Sequence, residues 1–351
     1  MADLRPYPAF DTIIRNFAPG WFASVMGTGS LALTSLYLSA AWPWLATPAN
    51  ILNYGNFILF GVLLVPWILR WIRYPADALA TLKNPAQAAF YPTFAVAMLV
   101  LAAQAVFFAM GTAFALVIWW SAIVVAFLFN FIILFNIFSS ETTPMEDIAP
   151  AHFIPAVGLV VIPIAGIPLL EHLSGVPNSL AYDLALAVNA AGIGAGSLLY
   201  IGLFSLLFHR HYMNRPLAGR LTPTVWIHLA PLGWIPVDLA ALINHLGMHS
   251  ALEFAGIFAL IVWAAGLWWV IMAALLTVSA IRKRELAFGL PWWGFVFPVG
   301  AMVTLSFRVH TLLDFTLAHT VGVILWVFMG MVWLLILWMT ARKIISGDIF
   351  R

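Results

Sequence analysis

The chain has 351 residues, of which 64% are hydrophobic and 8% charged, with 15 Lys and Arg against 13 Asp and Glu. A soluble domain carries about 25% charged residues, so this composition excludes a soluble globular protein and leaves no stretch for a separate soluble domain. The absence of cysteine excludes disulfides, thiolate catalysis and cysteine-based metal sites, and a net charge of +2 gives no reason to expect a nucleic-acid partner.

A spanning helix needs roughly 20 apolar residues. Ten such runs follow one another, at 19–39, 51–69, 91–110, 114–138, 153–170, 184–208, 225–243, 254–278, 292–313 and 320–339. In lipid an unpaired backbone amide costs several kcal/mol, so runs of this length form helices. The expected fold is an all-α membrane protein, one transmembrane transport domain over 1–351 with about 19–339 embedded. The first run is too long for a signal-peptide core and lacks a small-residue cleavage site, so it is expected to stay in the mature protein.

The cations follow the runs. Arg5 and Arg15 precede the first; Arg70, Arg73 and Lys83 lie between the second and third; Arg210, Arg215 and Arg220 follow the sixth; Arg282, Lys283 and Arg284 follow the eighth; Arg342, Lys343 and Arg351 follow the tenth. With ten spans all fourteen fall on one side, which the positive-inside rule makes cytoplasmic, and both termini are inside. The fifteenth, Arg308, lies within the ninth run.

The odd-numbered runs share an early proline: Pro19, Pro92, Pro155, Pro231 and Pro298, at intervals of 73, 63, 76 and 67 residues. Each interval is one helical hairpin. Proline removes an intrahelical hydrogen bond and bends a helix; in membranes such breaks sit in protein or face a water-filled cavity. The economical architecture is five hairpins in a ring, with kinked odd helices inside, lining a central pore, and even helices outside.

The most specific segments are NFAPGWFASVMGTGSLAL at 16–33 and PWWGFVFPVG at 291–300, with looser matches in HFIPAVG at 152–158 and HLAPLGW at 228–234. These resemble the tellurite-resistance/dicarboxylate transporter family, which is similar to the plant guard-cell slow anion channels, the yeast malic-acid permease and the yeast sulfite pump. The resemblance covers all ten runs. It implies a homotrimer, with one pore per subunit lined by the five odd helices. It also implies that Phe297, just before Pro298, plugs that pore.

From Phe297, residues four, seven and eleven positions on share its face: Ala301, Thr304 and Arg308. Arg308 is then roughly 16 Å further out, near the extracellular mouth. The same offsets on the other odd helices give mostly apolar positions: Ala18, Phe22, Val25 and Gly29; Tyr91, Ala95, Met98 and Ala102; Ile154, Gly158, Val161 and Ala165; Ala230, Trp234, Val237 and Ala241. A pore this short of charge binds weakly, which suits throughput.

An intramembrane arginine is costly and faces a cavity or a partner. Arg308 is either an anion-attracting site or half of an ion pair, with Asp238 the best partner by depth. His228 is a hydrogen-bonded packing histidine or a carrier of a coupling proton. His245 and His249 have helical metal-ligand spacing but no third ligand, and no metal or cofactor is expected. Glu141, Glu146 and Asp147 form an acidic loop that complements the following helix dipole. Gly192 and Gly196 make a GxxxG. Trp42, Trp44, Trp292 and Trp293 lie at span ends, where interfacial anchoring accounts for tryptophan.

The function expected is transport, not enzymatic catalysis. It is a channel or carrier in the inner (cytoplasmic) cell membrane for a C4-dicarboxylate of the malate type or an inorganic anion. Sulfite or tellurite-related efflux is the alternative. The rival class is a haem-binding redox subunit using His152, His228, His310 and His319, which leaves Arg308 and the proline repeat without a role.

Overall fold

The computed structural model describes residues 7–139, 144–145, 148–173, 179–214, 217 and 219–350. Arg5, Arg215, Arg351 and the acidic residues Glu141, Glu146 and Asp147 lie outside the described residues. The described chain is helical. A short α1 (Phe10–Arg15) leads to a 3-10 turn, Pro19–Phe22, and α2 (Ala23–Leu38). Then come α3 (Ala46–Arg73), the short α4 (Pro75–Lys83) and α5 (Pro85–Ala88), α6 (Pro92–Phe107) and α7 (Thr112–Phe138). The run read as one fifth helix is two, α8 (Ile154–Val160) and α9 (Ile162–Leu173), preceded by the turn Pro150–Phe153. After α10 (Leu180–Met213), the 3-10 segment Gly219–His228 enters α11 (Leu229–His245). The chain ends with α12 (His249–Arg282), the turn Leu290–Phe295, α13 (Val296–Leu313), α14 (Thr316–Ile345) and the turn Asp348–Phe350.

Among the described residues nine helical stretches are long and apolar enough to cross a membrane. The stretch from Pro19 through α2 is not among them. Its length suffices, but Ser24, Gly27, Thr28, Gly29, Ser30, Thr34 and Ser35 dilute its apolar character.

Burial divides the nine into two sets. In the four containing α6, α8–α9, α11 and α13, 61–89% of the membrane-length window is inside the protein; in those containing α3, α7, α10, α12 and α14 the share is 22–39%. The second set has one buried stripe each. On α10 it runs Ala185, Asn189, Gly192, Gly196, Tyr200, Leu207 and Arg210, the three-and-four spacing of one helix face. The remaining faces present residues such as Ile58, Val65, Phe131, Leu198, Ile261 and Leu334 to the surroundings. An apolar surface of this extent is what lipid solvates.

The buried set packs as neighbours: α2 on α6, α6 on α8 and α9, these on α11, α11 on α13, and α13 back on α2. Each outer helix sits against the inner helix beside it in sequence, and small residues let it approach. A Cβ on Gly192 would stand 2.7 Å from the Leu159 carbonyl oxygen, and one on Gly196 2.5 Å from Val160. The GxxxG of α10 is therefore a seat for α8.

The five prolines do not kink helix interiors, contrary to the sequence expectation. Pro19 opens its 3-10 turn and Pro92 opens α6, while Pro155, Pro231 and Pro298 lie within the first three residues of α8, α11 and α13. At Pro155, Pro231 and Pro298 a 3-10 segment runs directly into the α-helix, so each proline stands where the winding changes and not within a regular α-helix. Interior prolines occur elsewhere, at Pro168 of α9, Pro236 of α11 and Pro66 of α3.

Irregular backbone at membrane depth needs partners, and neighbouring side chains supply them. Thr93 donates to the Pro19 carbonyl (2.8 Å), Trp119 to Ile162 (2.9 Å), Asn130 to Pro155 (3.1 Å) and Trp269 to Val225 (2.9 Å). A buried amide chain joins α2, α3 and α6: Asn56 donates to the Val25 carbonyl and to Gln104, which donates to Asn53. Trp293 is a correction to its reading as an interfacial anchor, because it is buried inside the bundle, whereas Trp44 is exposed.

Candidate functional site

Three cavities lie along the inner helices. The first, about 1220 Å³, opens at the end of the bundle that carries the chain termini; Arg15, Arg70, Arg220, Asp11, Asp77, Pro19 and Leu290 are among the residues around it. The third, about 780 Å³, opens at the other end and is lined from α2, α6, α9, α11 and α13, with Thr34, Phe107, Ile167, Asp238 and Arg308 as one representative of each. Between them is a space of only about 30 Å³.

That small space is where the entry turns meet the inner helices. Gly20 and Ala23 come from the start of α2, Phe90 and Thr93 from the start of α6, Ile154 and Val157 from α8, Ile227 and Ala230 from the approach to α11, and Gly294, Phe297 and Pro298 from the start of α13. Gly20, Phe90, Leu290 and Pro291 also line the large cavity, so the two share a wall. On the far side Phe297 stacks on Trp234, with ring centroids 6.3 Å apart, and Trp234 lines the third cavity. The Phe297 side chain is 2% exposed. An aromatic pair therefore lies between the two open cavities.

The predicted residues divide by environment. Phe297, Pro298 and Ala230 line the constriction; Trp234, Thr304, Arg308 and Asp238 line the third cavity. Ala301 faces α11 instead, where a Cβ on Gly233 would stand 2.6 Å from it. Phe22, Gly29, Tyr91, Ala95 and Gly158 line none of the three cavities. Phe22 sits in an aromatic cluster with Phe60, Trp67 and Phe94. Gly29 makes room for Val100, Gln104 and Asn56. Tyr91 donates its hydroxyl to the Ala78 carbonyl (2.8 Å). Ala95 is fully buried and Gly158 looks onto Pro92 and Val96 of α6. One fixed register cannot transfer between helices whose first turns begin at different points.

His228 is buried among Phe153, Tyr200, Phe204 and Trp269, with its Nε2 3.2 Å from the Tyr200 hydroxyl. It lines no part of the three cavities. Among the described residues, the ion pairs are Arg15 with Asp77 (2.7 Å), Arg73 with Asp11 (3.7 Å) and Lys343 with Asp348 (3.0 Å); Arg308 and Asp238 share a cavity without forming one. The residues not anticipated from the sequence are those of the entry turns, notably Gly20, Ile227 and Gly294. The only signal for them was the proline and glycine density just before each inner helix.

Electrostatics differ between the two open cavities. At the terminus-bearing end the Arg15 guanidinium, hydrogen-bonded to Asp77, holds that carboxyl below the usual carboxylate range. The Tyr74 phenol is pushed up by its hydrogen bond to the Asp11 carboxylate. Arg70 is buried and donates to the Phe17 carbonyl (2.8 Å) and Thr81 (3.0 Å). Charge there is mostly paired, and Arg220 stands exposed at the rim. At the other end the Arg308 Nε, the Trp234 indole N–H and the Asp238 Oδ2 are buried without a hydrogen-bond partner.

A bundle of long apolar helices around two facing cavities is the build of a membrane channel or transporter. Residues 16–341 match the family described as the SLAC1 voltage-dependent anion channel, and the chain belongs to that family. It is 39% identical to an uncharacterized transporter of Methanocaldococcus jannaschii, over 97% of this chain and 96% of that one. It is 23% identical to a sulfite efflux pump of Trichophyton rubrum, over 96% and 93%. It is 21% identical to a malic acid transport protein of Schizosaccharomyces pombe, over 98% and 82%.

Proposed function

We propose that the protein conducts small anions across the cell's inner (cytoplasmic) membrane through a pore inside each subunit, and that Phe297 gates it. The observation that carries this reading is the pair of open cavities, about 1220 and 780 Å³, with the stacked rings of Phe297 and Trp234 between them. A dry apolar constriction blocks ions even when it is not completely filled. The closed succession of contacts from α2 through α6, α8–α9, α11 and α13 back to α2 supports the ring of five hairpins. The buried, helical Pro19-to-Leu38 stretch supports a tenth crossing. The cations that follow the even spans support an orientation with both termini inside.

A family resemblance supports a homotrimer. The positive ends of the α2, α6, α11 and α13 dipoles converge around the constriction and favour an anion without a full charge. The cavity beyond Phe297 offers one arginine, Arg308, too few for tight dicarboxylate binding, so the substrate is held weakly there and passes quickly. The relatives' names point to sulfite-like and malate-like anions. Tracer flux in proteoliposomes across a panel of these anions, with and without a pH gradient, tests the reading. Flux that needs no gradient identifies a channel, obligatory proton coupling a carrier, and no anion flux from any condition removes the proposal.

A further inference from the structure

Indole N–H groups are working donors in this bundle. Trp119 donates to the Ile162 carbonyl (2.9 Å), Trp269 to the Val225 carbonyl (2.9 Å), Trp226 to Thr277 (3.0 Å), Trp263 to Ser306 (2.8 Å), Trp326 to Ser35 (3.1 Å) and Trp333 to Thr28 (3.0 Å). Among the described residues two buried indole N–H groups have no acceptor, those of Trp234 and Trp293. Their side chains are 6% and 2% exposed, and both stand at the narrow stretch. Trp293, in the 3-10 turn before α13, borders the small space that Phe297 also lines. Trp234, on α11, stacks on the Phe297 ring and lines the cavity beyond it. A path between the two open cavities meets one idle indole before the Phe297 ring and another after it.

Buried polar groups are almost always hydrogen-bonded, and leaving one unmet is costly. Two unmet donors flanking one ring call for an acceptor that the protein itself does not supply. The rest of the small space is apolar. Apart from Trp293, Thr93 is the one residue around it with a side-chain oxygen or nitrogen, and its hydroxyl donates to the Pro19 carbonyl (2.8 Å). An anion entering this stretch sheds water and meets no charged side chain. An indole N–H is a donor only, so it replaces part of an anion's hydration and cannot coordinate a cation through that atom. Being neutral, it holds the ion loosely, which suits an ion that must leave as readily as it enters.

Resting on the anion-pathway reading above, we propose that the indole N–H groups of Trp234 and Trp293 are the hydrogen-bond donors that carry a partly dehydrated anion past Phe297, one on each side of the ring, and that they set the preference for anions over cations in the narrow stretch. The sign of the permeant ion is then read there by neutral donors, and Arg308 acts only on the ion in the cavity beyond.

The test is made on the full chain in planar bilayers, in the Phe297→Ala background where the constriction is open, with chloride as the probe anion and potassium as the cation. Trp234 and Trp293 are replaced in turn by benzothienylalanine, which keeps the shape of the side chain and puts sulfur in place of the N–H. Each replacement should lower chloride conductance roughly tenfold, the effect of one hydrogen bond to a charged group. Each should also reduce the chloride-to-potassium permeability ratio read from the reversal potential. The losses should persist at high salt, because neutral donors are not screened, whereas the loss from Arg308→Gln should shrink. The reversal potential does not depend on the amount of folded protein, so Trp234→Phe and Trp293→Phe should show the same shift even at reduced yield. An unchanged conductance and permeability ratio at either position overturns the proposal, and so does a loss that vanishes at high salt; both leave the Phe297 gate standing. If Phe297→Ala conducts no more than the parent, the gate and this inference fall together.

Discussion

Truncating Phe297 to alanine separates a gate from a packing residue. The benzyl group is 2% exposed, stacks on Trp234 at 6.3 Å and borders a space of about 30 Å³ that shares a wall with the large cavity. In a sealed core, Phe→Ala leaves a void and costs about 3–5 kcal/mol. Here the new space lies between two open cavities, so on the gate reading water enters it and the stability loss should fall below that range. The same water shortens the dry stretch an anion must cross. Lowering that barrier by only ~1.4 kcal/mol raises conductance tenfold, so at least a tenfold gain is expected. The assay is anion current in planar bilayers at matched amounts of folded protein, with thermal stability measured alongside. Phe297→Leu and Phe297→Trp refill the constriction and should stay largely closed. Alanine-variant conductance at or below the parent level, with the stability loss of a sealed core, would refute the gate. Pro298 is not expected to contribute by loosening a helix interior, because it sits in the first turn of α13.

Arg308→Gln should lower anion flux severalfold and reduce the preference for anions over cations. The difference from the parent should shrink as salt rises, since a charge at a wet mouth is screened over about 8 Å at physiological ionic strength; a salt-independent loss would mean a structural role. Gly196→Leu drives a side chain into Val160 and the α8 backbone and should destabilise the fold by about 1–3 kcal/mol, whereas the same change at Gly194, which has open space around it, should be silent. Equal melting temperatures for the two variants would contradict the α10–α8 seat. Reporter fusions after Trp44, Gly111, His172, His249 and Leu317 should report outside, and fusions near Arg73, Glu146, Arg215 and Lys283 inside. A single clear reversal breaks the ten-span count.

The sequence by itself determined the class of fold. Long apolar runs in lipid have one way to satisfy their backbone amides, and the outer helices α3, α7, α10, α12 and α14 fall where those runs lie. It also carried the division into buried and lipid-facing helices. Prolines and glycines gathered in alternate runs because irregular backbone is tolerated only inside protein. Phe297, Trp234, Thr304, Arg308 and Asp238 were legible as residues of interest through aromatic, hydroxyl and charged side chains on otherwise apolar helices.

Only the tertiary structure decided what each inner residue faces. A register carried from α13 to α2 and α6 assumed helices that start alike. The entry turns differ in length and winding, so Phe22, Gly29, Tyr91 and Ala95 turn toward neighbouring helices. The prolines were legible as breaks, but whether a proline kinks a helix or begins one depends on where the preceding backbone stops being helical. That is set by side chains far along the chain, such as Thr93 on the Pro19 carbonyl and Trp119 on Ile162. The separation of Arg308 from Asp238 belongs to the same class. Depth along two helices follows from residue numbers, but whether two charges meet depends on how the helices are rotated against each other, and packing sets that rotation.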